Sequence, residues 1–287
     1  MPELPKISVV TPTFNSINTV RETIRSVVSQ DYSQWEHIVI DGGSTDGTLE
    51  VLKENPHLIW VSEKDQGHYH AMNKGVARAT GEIVAILNSD DCYRPHALRK
   101  VGEAFAKHPD WDGAFGDLVF KDGKGEEIYR REEAVFDYNV LRFSGICYVS
   151  HPTLFVKKSV YDRLGAYRHQ DFLNSADFEF ILRLGREKCR IGHIPQYLID
   201  YRYHEHGQSA DLRITRNMAR EGAIILKEHG VPAGVIARIL RLLFRSKRQL
   251  QKLIYRGKCD LIPGKWLLRK HMREKTTFSS NVGLDQL

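Results

Sequence analysis

The sequence predicts an α/β protein: a mixed, mainly parallel sheet flanked by helices, with a basic helical extension at its C-terminal end. Three observations lead there. Apolar strand-like runs alternate with helical periodicity through the first 120 residues, a hairpin signal breaks that alternation after about Trp111, and the last quarter reads as helix rich in Lys and Arg. Strands alternating with helices favour parallel pairing through right-handed crossovers. The hairpin adds an antiparallel element to the second half.

In chain order, Ile7-Ser8-Val9-Val10-Thr11 reads as the first strand, stopped by Pro12. Thr19-x-x-Glu22 is a capping-box pattern opening a helix that carries Val20, Ile24, Val27 and Val28. His37 to Ile40 is the second strand, ending at Asp41, and Gly42-Gly43-Ser44-Thr45-Asp46-Gly47 turns into a short helix around Leu49 to Glu54. Leu58 to Val61 is a third strand, and a helix from about His70 to Ala79 ends before Gly81. The run Ile83-Val84-Ala85-Ile86-Leu87 is a buried strand, followed by a helix from Pro95 to Lys107. Ala114 to Phe120 and Glu127 to Arg131 flank Lys121-Asp122-Gly123-Lys124-Gly125 as a hairpin. A helix from about Ser175 to Lys188 and two short strands, Ile191 to Ile194 and Leu198 to Arg202, complete the body.

Composition narrows the class. At 287 residues the chain can bury a large core, and 41% apolar with 27% charged residues is ordinary for a folded soluble protein. Cys92, Cys147, Cys189 and Cys259 show no CxxC pair, which favours reduced thiols over a disulfide scaffold or zinc site. Met1 to Lys6 holds no hydrophobic signal segment, and no apolar run is long enough to span a bilayer. The expectation is a cytoplasmic protein. The net charge of +6 hides an asymmetry: residues 1–211 carry 25 Lys and Arg against 31 Asp and Glu, and residues 212–287 carry 17 against 5. That divides the chain into a body, 1–211, and an appended basic region, 212–287. By charge the body is not a nucleic-acid binder.

The sharpest local feature is Asn88-Ser89-Asp90-Asp91 at the end of the buried strand. Open α/β sheets place ligands at the C-terminal ends of their strands. Clustered carboxylates there suit a hard divalent cation that also carries substrate phosphates; an acidic turn is the plainer reading. No GxxxxGK[ST] occurs, and the first strand leads into Thr11-Pro12-Thr13-Phe14-Asn15 rather than GxGxxG. Both facts argue against a P-loop enzyme or a dinucleotide-dependent dehydrogenase. Asp41 is placed to accept a hydrogen bond from a base or ribose, or simply to shape its own turn.

Several segments, taken in order, resemble family 2 glycosyltransferases. They are Ile7 to Asn15, Asp41-Gly42-Gly43-Ser44-Thr45-Asp46-Gly47-Thr48, Asp65-Gln66-Gly67 with Ala71-Met72-Asn73-Lys74-Gly75, Leu87 to Asp91, and Ala176 to Leu184. The resemblance covers roughly the first 210 residues and leaves the basic region unexplained. It implies the GT-A fold, with a Rossmann-like mixed central sheet, and inverting transfer from a nucleoside diphosphate sugar. By that resemblance Asp41 holds the base, with Thr11, Pro12, Thr13 and Asn15 lining the same pocket. Asp65 lies near base or ribose and Lys74 near the diphosphate, Asn73 belongs to the same nucleotide site, Asn88 can reach a ribose hydroxyl, and Asp90 matches the metal site together with Asp91. Asp91 becomes the ligand of Mg²⁺ or Mn²⁺, and Asn88 stands where many relatives have an acidic residue. His204, in a Tyr-Arg-x-His segment, completes the metal shell or touches the diphosphate. His151 is an acceptor contact.

The chemistry gives these residues their reasons. The departing diphosphate develops negative charge that a cation held by Asp91 would stabilise. An acceptor hydroxyl must lose its proton as it attacks, so inversion needs one general base, worth roughly 10²–10⁴-fold. The resemblance assigns that role to Asp177; Glu179, about 200° further round the helix, cannot face the sugar in the same way. The donor is expected to be a UDP-sugar and the acceptor a glycan or a lipid-linked hydroxyl, in surface polysaccharide synthesis. Two rivals stand beside this: a sugar nucleotidyltransferase, which normally carries a basic Gly-rich N-terminal loop, and a catalytically silent sugar-nucleotide-binding module. In the basic region Ile236, Ile239, Leu240, Leu243, Leu250, Leu253 and Ile254 recur at helical spacing between arginines. Residues 235–275 therefore read as a helix lying on the anionic inner face of the cell membrane, or as one packed on the body.

Overall fold

The first strand, β1 (Ile7–Thr13), is buried along its whole length, as only a central strand covered on both faces can be. Ile7 and Val9 face α1 (Val20–Val28) and α4 (Ala97–Lys107), packing with Val27, Leu98 and Val101. Val10 faces the opposite side, against Tyr69, Met72 and Val76 of α3 (His68–Arg78). The close approach of α3 rests on Gly75, where a Cβ would meet Val10 Cγ1 at 2.1 Å. A computed structural model describes residues 4–203 and 212–258.

β1 pairs in parallel with β2 (Trp35–Asp41) and β4 (Ile83–Ile86), and β2 with β3 (Ile59–Ser62), which follows it through α2 (Thr48–Lys53). Beyond β4 the sheet turns antiparallel through β8 (Leu154–Lys157) to β6 (Gly113–Lys121). β9 (Ile191–Arg202) runs parallel to β6, with short β5 (Cys92–Tyr93) at its edge; β7 (Glu127–Arg131) forms the expected hairpin with β6. The described residues thus form one nine-stranded mixed sheet, ordered β3-β2-β1-β4-β8-β6-β9-β5 with β7 on β6. The expected α/β class with a mixed central sheet holds.

Several local expectations shift for identifiable reasons. β1 continues through Pro12 because the β4 ladder on that side has already ended, the last contact being Leu87 N–H to the Val10 carbonyl at 2.9 Å. The missing proline donor is then not needed. Thr19 precedes α1 but makes no side-chain cap, and Glu22 instead pairs with Arg202. The two strands expected after residue 190 are one, β9, with a register break: Gly116 faces Ile194 and Asp117 faces Tyr197. Pro195, which cannot donate to a ladder, sits in that break. β8 and the helices α5 (Tyr138–Ser144) and α6 (Lys158–Leu164) carry too short a pattern to stand out in the sequence.

The region after residue 211 is not wholly separate. α8 (Leu212–Glu228) lies beside α7 (Ala176–Arg186), and Ile225 is fully buried in the same core as Val10 and Phe180. Glu221 of α8 accepts from the backbone N–H groups of Leu173 and Asn174, fixing the loop that leads into α7. α9 (Gly234–Arg256) packs on α5.

Candidate active site

The strand order reverses at the β1–β4 pair: the chain leaves β1 toward β2 and β3 on one side and β4 opens the other. Ligand crevices in open α/β sheets form outside the C-terminal ends of strands at such a switch point. Here those ends deliver Thr13 to Ser16 from β1, Asp41 to Ser44 from β2, Asp65 to Gly67 after β3, and Asn88 to Asp91 from β4.

The loops are tied to one another. Asn15, at φ +49°, donates its backbone N–H to Ser44 Oγ at 2.7 Å, and its side-chain oxygen accepts from Thr45 N–H at 2.9 Å. Asparagine tolerates that left-handed backbone better than most side chains. Ser16 and Ser89 hydroxyls meet at 2.9 Å, joining the β1 loop to the acidic turn. Asp41 is fully buried, and its carboxylate accepts from the Gly43 and Ser44 N–H groups and from the hydroxyls of Ser44 and Ser62. This is the turn-shaping role the sequence left open for it. Asp65, only partly buried, stands beside the same turn, its Oδ2 2.8 Å from where a Cβ on Gly42 would stand. Phe14, 61% exposed, flanks the same glycine. Thr11 Oγ1 bonds the buried His37 Nε2 at 2.9 Å, whereas the buried Thr13 hydroxyl has no partner among the described residues.

At the acidic turn Asp91 is 1% exposed. Its Oδ1 accepts from Arg202 N–H at 3.1 Å, and its Oδ2 from the Asn88 amide at 3.1 Å. Burial, and then the charge of Asp90, push its carboxyl well above the ordinary range. Asp90 is half-buried, and Arg202 Nε reaches its carbonyl at 3.3 Å. The donor set is two carboxylates, an amide and hydroxyls, all hard oxygens. That suits Mg²⁺ or Mn²⁺ finishing its shell with phosphate oxygens, and two adjacent carboxylates ask for such a counter-charge. The described residues contain no cluster of three or more His, Cys, Asp or Glu able to hold an ion unaided. The expectation for His204 lies outside the described residues.

Asp177, at the start of α7, is half-exposed. Its Oδ1 accepts from the Tyr69 hydroxyl at 2.6 Å and from the Phe178 N–H at 2.8 Å, so its Oδ2 has no partner among the described residues. Burial, and then Asp177, hold the Tyr69 phenol well above its usual range, so it stays a donor. Glu179, by contrast, is 1% exposed and bound to Arg183 at 3.0 Å; Arg183 also ties down the Leu164, Gly165 and Ala166 carbonyls. It is structural. Around Asp177 stand two histidines. Burial takes His68 down to about 4, the charge of Asp177 opposing that fall, and lowers His151 for the same reason. His151 is bonded to the Tyr167 hydroxyl at 2.8 Å.

Two expected ligand contacts have other partners. Asn73 spends its amide on both backbone groups of Tyr167, at 2.8 and 2.9 Å, and Lys74 pairs with Glu63 at 2.9 Å. Asn73 thereby fixes the loop whose tyrosine holds His151. Tyr69, His68 and Phe14 escaped the sequence reading, although all three lie inside or beside the recognised segments. Nothing local announces that Tyr69 reaches a residue 108 positions away.

Comparisons with known proteins bear on the family and the fold. The family model described as Glycosyl transferase family 2 matches residues 8–165. An uncharacterised glycosyltransferase of Mycobacterium tuberculosis is 35% identical over 192 residues, covering 64% of this chain and 70% of that protein. A PGL/p-HBAD biosynthesis glycosyltransferase of Mycobacterium bovis is 30% identical over 186 residues, 62% and 69% of the two chains. Among solved structures, residues 1–349 of Staphylococcus aureus TarS in complex with UDP-GlcNAc give a TM-score of 0.58 at 19% identity, covering 86% of this chain and 75% of that one. The mannosyltransferase PcManGT of Pyrobaculum calidifontis, in complex with GDP-Man and Mn²⁺, gives 0.55 at 20% identity, covering 89% and 82%. At those identities the structures speak to fold alone.

Proposed function

This chain belongs to glycosyl transferase family 2 and is a glycosyltransferase, and we propose that it transfers a sugar with inversion from a UDP-sugar to an acceptor hydroxyl, with Asp177 as general base. The observation that carries this is the asymmetric carboxylate: one oxygen of Asp177 is pinned by Tyr69 and the Phe178 N–H, the other has no partner among the described residues. A base that must take a proton from an incoming alcohol needs that arrangement, one lone pair in a fixed direction. Half-buried His68 and the Tyr167-held His151 line the acceptor side, both lowered by burial. Neutral imidazoles there accept or donate to sugar hydroxyls without competing for the base's proton.

On the donor side, the base stacks against the exposed Phe14 and bonds Asp65. Asn88, Asp90 and Asp91 would hold Mg²⁺ or Mn²⁺ with the diphosphate. The ion's contribution is Lewis-acid stabilisation of the leaving group. Arg202 beside that turn adds positive charge, and Lys74, expected near the diphosphate, pairs with Glu63. The UDP-GlcNAc bound by one structural relative and the Mn²⁺ bound by another support the donor class and the ion. The PGL/p-HBAD biosynthesis relative supports an acceptor bound to a surface glycan or lipid carrier. Such an acceptor places the enzyme peripherally at the inner face of the membrane; no described helix is long and apolar enough to cross it.

The test uses two variants of the full chain. Asp177→Asn should bind UDP with Mn²⁺ as the parent does yet lose transfer by at least 10²-fold. Asp91→Ala should lose the Mn²⁺-dependent part of UDP binding. Transfer by Asp177→Asn at the parent rate removes the base assignment; no donor turnover by the parent with any nucleotide sugar favours a silent binding module.

A further inference from the structure

Helices on soluble domains normally turn their apolar stripe inward and leave their charges to water. α9 does the reverse. Val235, Ile239, Leu243, Leu250, Leu253 and Ile254 are each at least half exposed, whereas Arg248 and Lys252 are buried at 8% and 3%. At 100° per residue those six aliphatics fall within about 100° of the helix surface and run along about 30 Å of its length. The body covers part of the basic side, at Arg248, Lys252 and Arg256. Arg248 reaches both carboxylate oxygens of Glu133 at 2.7 and 2.8 Å, Lys247 pairs with Asp137 at 2.7 Å, and Arg256 pairs with Asp117. The acidic surplus of the body and the basic surplus of the extension meet at this seam.

We propose that α9 seats the protein on a lipid bilayer through this outward apolar stripe, inserted at the acyl boundary, while its inward ion pairs hold the catalytic body against the helix. The inference rests on the peripheral location given above and not on the transfer chemistry. A contiguous exposed aliphatic stripe of this size on a soluble chain marks an interaction surface. Its occupant follows from charge. α9 contains seven Lys and Arg and no Asp or Glu, and Arg238 and Arg241 are exposed. A second α9 laid on the first would bring like charges together with no opposite charge on either helix. An anionic leaflet supplies that opposite charge, and its acyl chains accept the leucines.

The experiment is flotation of the full chain with phosphatidylcholine vesicles containing phosphatidylglycerol, against Leu243→Ser/Leu250→Ser. Removing each leucine from a lipid contact should cost about tenfold in partitioning, so the double variant should stay in the aqueous fraction. Its thermal midpoint and UDP binding should equal the parent's, because neither side chain packs on the body. The proposal is overturned if the parent does not float, or if the double variant floats equally well. It is overturned in favour of a second copy if light scattering shows a dimer that the same substitutions dissolve. Loss of UDP binding in the parent would count against the transferase reading and leave this one standing.

Discussion

Replacing Tyr69 with phenylalanine removes one atom from the centre of the site. The hydroxyl donates to Asp177 Oδ1 at 2.6 Å, and the only other donor to that oxygen among the described residues is the Phe178 N–H. Hydrogen bonds to a carboxylate are worth about 1.5–3 kcal/mol, or roughly 10–150-fold when the whole amount is lost from the transition state. Asp177 is half-exposed, so water recovers part of that loss, and the expected fall in kcat for Tyr69→Phe is about tenfold. Donor KM should not move, since the hydroxyl that is removed bonds only the acceptor-side carboxylate among the described residues. Stability should change by less than about 1 kcal/mol, because the ring still fills its place beside Tyr167. The assay is the initial rate at saturating donor, with UDP affinity measured separately by calorimetry. A kcat within twofold of the parent at unchanged affinity would refute the reasoning. A lowered thermal midpoint with kcat and KM changing together would mean that Tyr69 merely supports the fold.

Acid should destabilise the fold in a window set by buried histidines. Burial, with a smaller push from His57, takes His37 to about 3, far below its ordinary value near 6.5. The unfolded chain therefore binds a proton that the native chain refuses. This contribution is whole above about pH 6.5 and is lost progressively as pH falls toward 3, with about 2 kcal/mol of it gone by pH 5. His68 and His229, each lowered to about 4, act in the same direction. Urea unfolding at neutral pH and near pH 5 checks this, and His37→Gln should flatten the difference; an equal slope in that variant would count against it. Gly75→Ala should cost roughly 1–3 kcal/mol or more by driving a methyl into Val10, read as a lower urea midpoint. An unchanged midpoint would mean that α3 can retreat from β1.

The sequence by itself determined the parallel half of the sheet, the position of each loop at the switch point, and the charge contrast between body and extension. These are local properties. A strand buried on both faces writes an unbroken apolar run, a helix writes its periodicity, and Asn88-Ser89-Asp90-Asp91 follows such a run directly. Tertiary structure decided what sequence distance hides. It matched Tyr69 to Asp177, gave Asn73 to Tyr167 and Lys74 to Glu63, and put β8 between β4 and β6 on only four residues. It also decided which way α9 faces. Amphipathic spacing shows that a helix has two sides but not which one meets the body. That choice fell to Glu132 and Glu133, whose charges took Arg256 and Arg248 inward and left the leucines outside.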